Sequence, residues 1–226
     1  EKSLTAEEWF ERAYIFDNNN NYKEAIRCYS KAIELNPKDF MSHNNLGNLL
    51  YEKLKRYEEA EAAYRKAIKL NPEEATAYYN LGNLLSELKR YEEAEAAYRK
   101  AIEINSEFEY AYNGLGNVLK ETERYEEAEE AYRKAIKLNP EYATAYSNLG
   151  ILLYEKLKRY EEAEEAYRKA IKLNPEYART YSNLGNLLSE LKRYEEAEEA
   201  YRKAIKTNSE LAGPYYNLGL LLHKKL

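Results

Sequence analysis

Cysteine is almost missing from these 226 residues. Cys28 stands alone, so no internal disulfide can form, and a reducing, cytoplasmic setting is expected. Histidine is nearly as scarce: His43 and His223 lie far apart and make no metal or catalytic pair. No phosphate loop and no metal-ligand spacing occurs either, so neither enzyme chemistry nor a cofactor is expected. Long apolar runs are absent, and nothing approaches the roughly 20 residues that span a bilayer. Positive charge is not in excess. Lys and Arg number 35 against 40 Asp and Glu, a net charge of −5, which disfavours nucleic acid as a partner. The opening Glu1-Lys2-Ser3-Leu4 carries no basic-then-apolar leader and no initiator Met, as expected of a trimmed piece. The five prolines are also few, and four of them follow asparagine; Asn71-Pro72, Asn139-Pro140 and Asn174-Pro175 close second helices.

What is present is repetition. A unit of about 34 residues recurs six times, clearest between Glu73 and Ser106. Counted from one shared position, the repeats run 6–39, 40–74, 75–108, 109–142, 143–177 and 178–211, followed by a final helix at 212–226. Each repeat reads as two amphipathic helices. The first carries Tyr78, Leu81, Leu84, Leu85 and Leu88 at helical spacing, and the second carries Tyr91, Ala94, Tyr98, Ala101 and Ile102. Six of the eight glycines (Gly47, Gly82, Gly116, Gly150, Gly185 and Gly219) share position 8. Glycine costs a helix roughly 1 kcal/mol against alanine, so close approach of the second helix, through Ala60, Ala94, Ala128, Ala163 and Ala197, is expected there. Glutamates open each second helix and Arg and Lys close it. That order suits the helix dipole, allows pairs such as Glu95–Arg99, and implies a solvated face.

Tyr78-x-x-Leu81-Gly82, then Ala94-x-x-x-Tyr98, with proline at the boundary, resembles the tetratricopeptide repeat (TPR) family. Trp9 sits where that family favours tryptophan. The resemblance implies an all-α, right-handed superhelical α-solenoid of antiparallel helix pairs, about 13 helices in one domain. It also implies that the first helices line a concave groove, largely through positions 2, 5, 9, 12, 13 and 34.

Those groove positions hold two sets of side chains. Seventeen of the 25 tyrosines occupy framework positions, and the others fall in the groove, among them Tyr51, Tyr79, Tyr110 and Tyr154. Tyrosine offers large area, few rotatable bonds and a polar tip. Asn48, Asn83, Asn117 and Asn186 share position 9 and resemble the asparagine ladder of the O-GlcNAc transferase TPR region. A carboxamide donates and accepts, so it can pair with a peptide backbone whatever the side chains are. Ile151 and Leu220 interrupt this ladder. Glu52, Glu87, Glu121, Glu155 and Glu190 at position 13 favour a neutral or basic ligand over an acidic one, with Arg179 and Lys120 as the groove's cations.

The reading is a non-catalytic module that binds an extended protein segment or partner helix. Two alternatives stand beside it: a consensus-like or engineered scaffold that self-associates, and the targeting region of a larger enzyme. The chain start is capped by a Thr5-x-x-Glu8 box. The end is not, and Tyr215, Leu218, Leu221 and Leu222 are expected to form an apolar face suited to a homodimer. Two repeats carry one extra residue between their helices, at Leu50–Leu54 and Leu153–Leu157, three repeats apart. This pattern suggests a duplicated block.

Overall fold

The computed structural model describes residues 4–224. Residues 1–3 and 225–226, which include the expected chain start and the last two positions of the final helix, lie outside the described residues. Among the described residues there are 13 α-helices, arranged as antiparallel pairs in an all-α solenoid. The first helices of the pairs begin at Ala6, Phe40, Ala75, Glu109, Ala143 and Ala178, and α13 (Ala212–Lys224) starts a seventh unit. The first helices are α1 (Ala6–Asn18), α3 (Phe40–Asn48), α5 (Ala75–Glu87), α7 (Glu109–Glu121), α9 (Ala143–Glu155) and α11 (Ala178–Glu190). The second helices are α2 (Tyr22–Leu35), α4 (Tyr57–Leu70), α6 (Tyr91–Ile104), α8 (Tyr125–Leu138), α10 (Tyr160–Leu173) and α12 (Tyr194–Thr207). Contacts gather into two compact units, one through Val118 and one from Leu119.

Local chemistry sets the helix limits. Thr5 caps α1 through the expected box: its N–H donates to Glu8 Oε2 at 2.7 Å, and the Glu8 N–H donates to Thr5 Oγ1 at 3.2 Å. Each second helix ends on an asparagine whose side-chain oxygen accepts from the backbone two residues on. Examples are Asn71 from Glu73 at 3.3 Å and Asn174 from Glu176 at 3.1 Å. The turn inside each pair needs one left-handed residue, and none of the six is glycine: Asn20, Lys55, Lys89, Glu123, Lys158 and Lys192 have φ between 55° and 62°. In the regular turn the Arg90 N–H donates to the Leu85 carbonyl at 2.9 Å. In the two longer repeats the same bond spans one residue more, from Arg56 to Leu50 and from Arg159 to Leu153, each at 2.9 Å. The extra residue is absorbed as a π-helical turn at Leu49–Lys53 in one repeat and past the end of α9 in the other.

The repeated glycine has a different partner from the one expected. An added Cβ at Gly47, Gly82, Gly150 or Gly185 would come within 2.6–2.8 Å of a tyrosine ring, that of Tyr64, Tyr98, Tyr167 or Tyr201 respectively. The alanines of the second helices are buried, but the tyrosine ring is what fills the space over the glycine. Gly114, in the next repeat, lies equally close to the far side of Tyr98.

The charged face is also more than a solvated surface. Glu61 receives Arg65 of its own helix at 2.8 Å and Arg90 of the next repeat at 2.6 Å, and Arg90 also pairs with Glu93 at 2.7 Å. The pattern recurs around Glu129, paired with Arg133 at 2.8 Å and Arg159 at 2.6 Å. These shared carboxylates tie repeat to repeat, and a network of this kind is stronger than isolated surface pairs.

Candidate interaction surface

The position-9 asparagines lie on the first helices, half-buried, and Asn48, Asn83 and Asn186 each sit beside the tyrosine that fills their own repeat. The Tyr64 hydroxyl donates to Asn48 Oδ1 at 2.9 Å, Tyr98 to Asn83 at 2.7 Å and Tyr201 to Asn186 at 2.9 Å. Burial pushes the Tyr201 phenol up to about 12, so it stays a donor at neutral pH. The carboxamide is thus divided in function. At Asn48, Asn83 and Asn186 the oxygen is tied to the framework, which distinguishes it from the NH2 group of the same side chain. Asn186 Oδ1 also accepts from Asn217 Nδ2 of the seventh unit at 2.8 Å, and Asn80 Nδ2 bonds Asn44 Oδ1 of the preceding repeat at 3.1 Å. The position-6 asparagines Asn80 and Asn217 therefore link neighbouring repeats.

Each position-9 asparagine of the ladder borders an open depression. Asn83 and Asn117 share one of about 500 Å³ with Tyr51, Glu52, Lys55, Ser86, Glu87 and Tyr98. Asn48 borders another of about 330 Å³, beside Tyr14 and Asn45. Asn186 borders a third of about 310 Å³, with Asn217 and Leu220.

The longer repeats add a second element. The inserted residue sets Tyr51 beside Tyr57, with ring centroids 6.2 Å apart, and both hydroxyls donate to Glu87 of the next repeat, at 2.7 and 2.8 Å. These two bonds, with Lys55 nearby, hold the Glu87 carboxyl below the usual range. Tyr154 and Tyr160 grip Glu190 in the same way, at 2.7 and 2.9 Å. Glu87 and Glu190 are therefore engaged carboxylates and not a bare acidic rim. Sequence reasoning noted the extra residue but not this clamp, whose signal was the recurrence of Tyr at position 12 only where the insertion occurs.

The remaining groove residues are placed differently. The Tyr79 ring packs among Tyr98, Phe108 and Tyr110 at 6.1, 5.2 and 6.4 Å, which leaves Tyr110 as the exposed edge of an aromatic cluster. Arg179 is exposed on the first turn of α11. On α13 one expectation is corrected. Leu221 is 2% exposed, packed within its own chain, and is not available for self-association. It falls at position 10, the stripe on which Leu84, Leu152 and Leu187 are fully buried, and so it needs no second helix to cover it. Tyr215 and Leu222 are open, and Leu218 is half-buried.

The thiol of Cys28 is buried, and burial raises its pKa, which suits a packing role. Among the described residues no group of three or more His, Cys, Asp or Glu could hold a metal ion, and no helix is long and apolar enough to cross a membrane.

Comparison with known proteins places this geometry. The solved structure described as YrrB, a TPR protein with an unusual peptide-binding site, is 29% identical, with a TM-score of 0.62 over 88% of this chain and 98% of that one. PilF of Pseudomonas aeruginosa shares the fold at 20% identity, with a TM-score of 0.81 over 97% of both chains. The Cut9–Hcn1 assembly of the APC/C shares it at 19% identity and a TM-score of 0.84, with this chain spanning 43% of that one. No curated protein matches. The shared fold is the all-α solenoid of helix pairs, here with Asn and Tyr side chains along its first helices. The profile of the cilia and flagella-associated protein 70 C-terminal domain matches residues 3–214, and the chain belongs to that tetratricopeptide-repeat family.

Proposed function

We propose that the chain binds an extended peptide along its first helices, with the position-9 asparagines pairing to the peptide backbone. The observation that carries this reading is that Asn48, Asn83, Asn117 and Asn186 all border open depressions. The same-fold structure described as having a peptide-binding site supports it. Tyr51 and Tyr154 supply the flanking aromatic surface, Tyr110 an exposed aromatic edge, and Arg179 a cation at the start of α11. Glu52 and its counterparts favour neutral or basic ligands. The clamped glutamates contribute less to that preference than their number suggests, because each already accepts two hydrogen bonds.

The test separates the two halves of the carboxamide. An immobilised peptide library is screened with the chain, and a neutral binder is carried forward. Asn83→Asp with Asn117→Asp keeps the acceptor oxygen at each position and removes the NH2 donor. Affinity for the neutral peptide should fall about fivefold or more per lost bond, since each is worth on the order of 1 kcal/mol. The melting temperature should hold, because the Asp oxygen still takes the Tyr98 hydroxyl. A library without enriched peptides, or unchanged affinity in the double variant, refutes the reading.

A further inference from the structure

We infer that the depression lined by α1, α2 and α3 is a second binding site, which takes the ammonium group of a partner protein's lysine side chain. It shares Asn48 with the ladder but does not depend on the backbone-pairing reading. Position 9 of the first repeat is Tyr14, not asparagine. No carboxamide there takes the hydroxyl of Tyr29, as Asn48, Asn83 and Asn186 take those of Tyr64, Tyr98 and Tyr201. Tyr29 is 1% exposed and lines this depression of about 330 Å³, and among the described residues its hydroxyl makes no hydrogen bond. A polar group so placed is satisfied only by what enters the depression.

Charge gives an independent indication of the occupant. Asp17 stands at position 12, one place before the position-13 glutamates, and is half-buried where those are exposed. It lines the depression together with Glu52, and among the described residues neither carboxyl makes an ion pair or a hydrogen bond. Burial raises the Asp17 pKa, against the lowering effect of Lys53, as expected of a carboxylate whose lost hydration nothing replaces. Two carboxylates thus face one lining cation, Lys53, and the site is short of positive charge. The acceptors are mounted on three elements: Asp17 and Asn18 on α1, Tyr29 on α2 and Asn45 on α3. An ammonium spreads three N–H donors around a point, whereas a guanidinium presents a flat fork. The spread of acceptors therefore suits lysine better than arginine. Tyr14, which is 56% exposed on the same lining, offers apolar surface to the lysine methylenes.

The test uses the whole chain, isotope-labelled, and a tripeptide capped at both ends, acetyl-Ala-Lys-Ala-amide. Binding is followed by the NMR signals of the Asn18, Asn45 and Asn48 side-chain NH2 groups, which should shift and saturate. Norleucine in place of lysine keeps the methylenes and removes the ammonium, and should weaken binding about tenfold or more. Arginine should also bind more weakly than lysine. Asp17→Asn keeps the shape of the side chain and removes its charge. It should weaken the lysine peptide as much as norleucine does, while the melting temperature holds or rises because a buried charge is gone. Tyr29→Phe should weaken binding severalfold and keep the fold, since the hydroxyl has no bond within the chain to lose. Lys53→Met should strengthen binding by removing the competing cation. The inference is overturned if no signal shifts saturably, if the norleucine or arginine peptide binds as tightly as the lysine one, or if Asp17→Asn leaves the affinity unchanged. None of these readouts needs a peptide in the groove, so this inference and the ladder reading fail separately.

Discussion

Among the described residues, Tyr167 is the second-helix tyrosine whose buried hydroxyl has no hydrogen-bond partner. Its sisters Tyr64, Tyr98 and Tyr201 donate to the asparagine at position 9, but here position 9 is Ile151. The same substitution, Tyr→Phe, should therefore have opposite signs at two equivalent sites. At Tyr98 it removes a 2.7 Å hydrogen bond, and the net loss should be about 1 kcal/mol. At Tyr167, which is fully buried, it removes an unsatisfied hydroxyl whose burial costs about 1–3 kcal/mol. Stability should rise by about 1 kcal/mol, the low end of that range, because phenylalanine leaves a small gap where the oxygen was. The two variants should then differ by about 2 kcal/mol, or roughly 4–8 °C in melting temperature for a chain of this size. Ile151→Asn supplies the missing acceptor, and in that background Tyr167→Phe should turn from gain to loss. The resulting double-mutant cycle has an interaction energy of about 2 kcal/mol, to be read from urea midpoints with the slope held constant. If Tyr167→Phe costs as much as Tyr98→Phe in the unmodified chain, the hydroxyl is satisfied and the reasoning fails.

Two further outcomes follow from the packing. Gly82→Ala places a methyl 2.8 Å from the buried Tyr98 ring and should cost about 1–2 kcal/mol by thermal unfolding, whereas Gly219→Ala meets open space and should gain up to about 1 kcal/mol from helix propensity; equal effects would refute the packing role of the position-8 glycine. His43 has a lowered pKa, mainly through burial and with Lys66 adding to it, against the raising effects of its hydrogen bond to the Pro37 carbonyl and of Asp39, and its Nε2 has no partner. The unfolded chain therefore binds the proton more readily. The stability contributed by neutral His43 is complete above the unfolded value near 6.5 and is lost as pH falls through it, so urea midpoints should drop from pH 7.5 to 5.5 by more in the parent than in His43→Tyr. Parallel slopes would rule out His43 as the source.

The helix pairs were legible in the sequence because periodicity acts at many positions at once. Seventeen framework tyrosines, the aligned glycines and the leucine stripe all agree on one register. The turns were less legible. A left-handed residue usually advertises itself as glycine, but here Lys89, Glu123 and Lys192 take that conformation, and nothing in their side chains signals it. Leu221 was misassigned for a related reason. Steps of three and four identify an apolar stripe but not which of its edges faces the preceding repeat. Burial at positions 3 and 10, as at Ala77 and Leu84, distinguishes that edge from positions 4, 7 and 11.

The asparagines show the deepest limit of a one-residue-at-a-time reading. Taken alone, a half-buried carboxamide on a groove position points to a ligand, and a tyrosine on the second helix points to the core. In three repeats the two are halves of a single hydrogen bond, 15 or 16 residues apart. This pairing changes how the ladder can evolve and how it can be tested. On the proposed reading, losing the asparagine would cost both a ligand donor and a core acceptor, so Ala substitutions would confuse binding with stability, while Asp separates them. Ile151 then marks a unit that has the core tyrosine without the ladder asparagine. Tyr154 lies three residues further along, and its hydroxyl, with that of Tyr160, engages Glu190. This repeat therefore presents aliphatic and aromatic side chains where Asn186 stands in the following one. If a peptide pairs with the ladder as proposed, its backbone pairing should be interrupted at Ile151, and a peptide selected against the chain should carry an apolar side chain at that point.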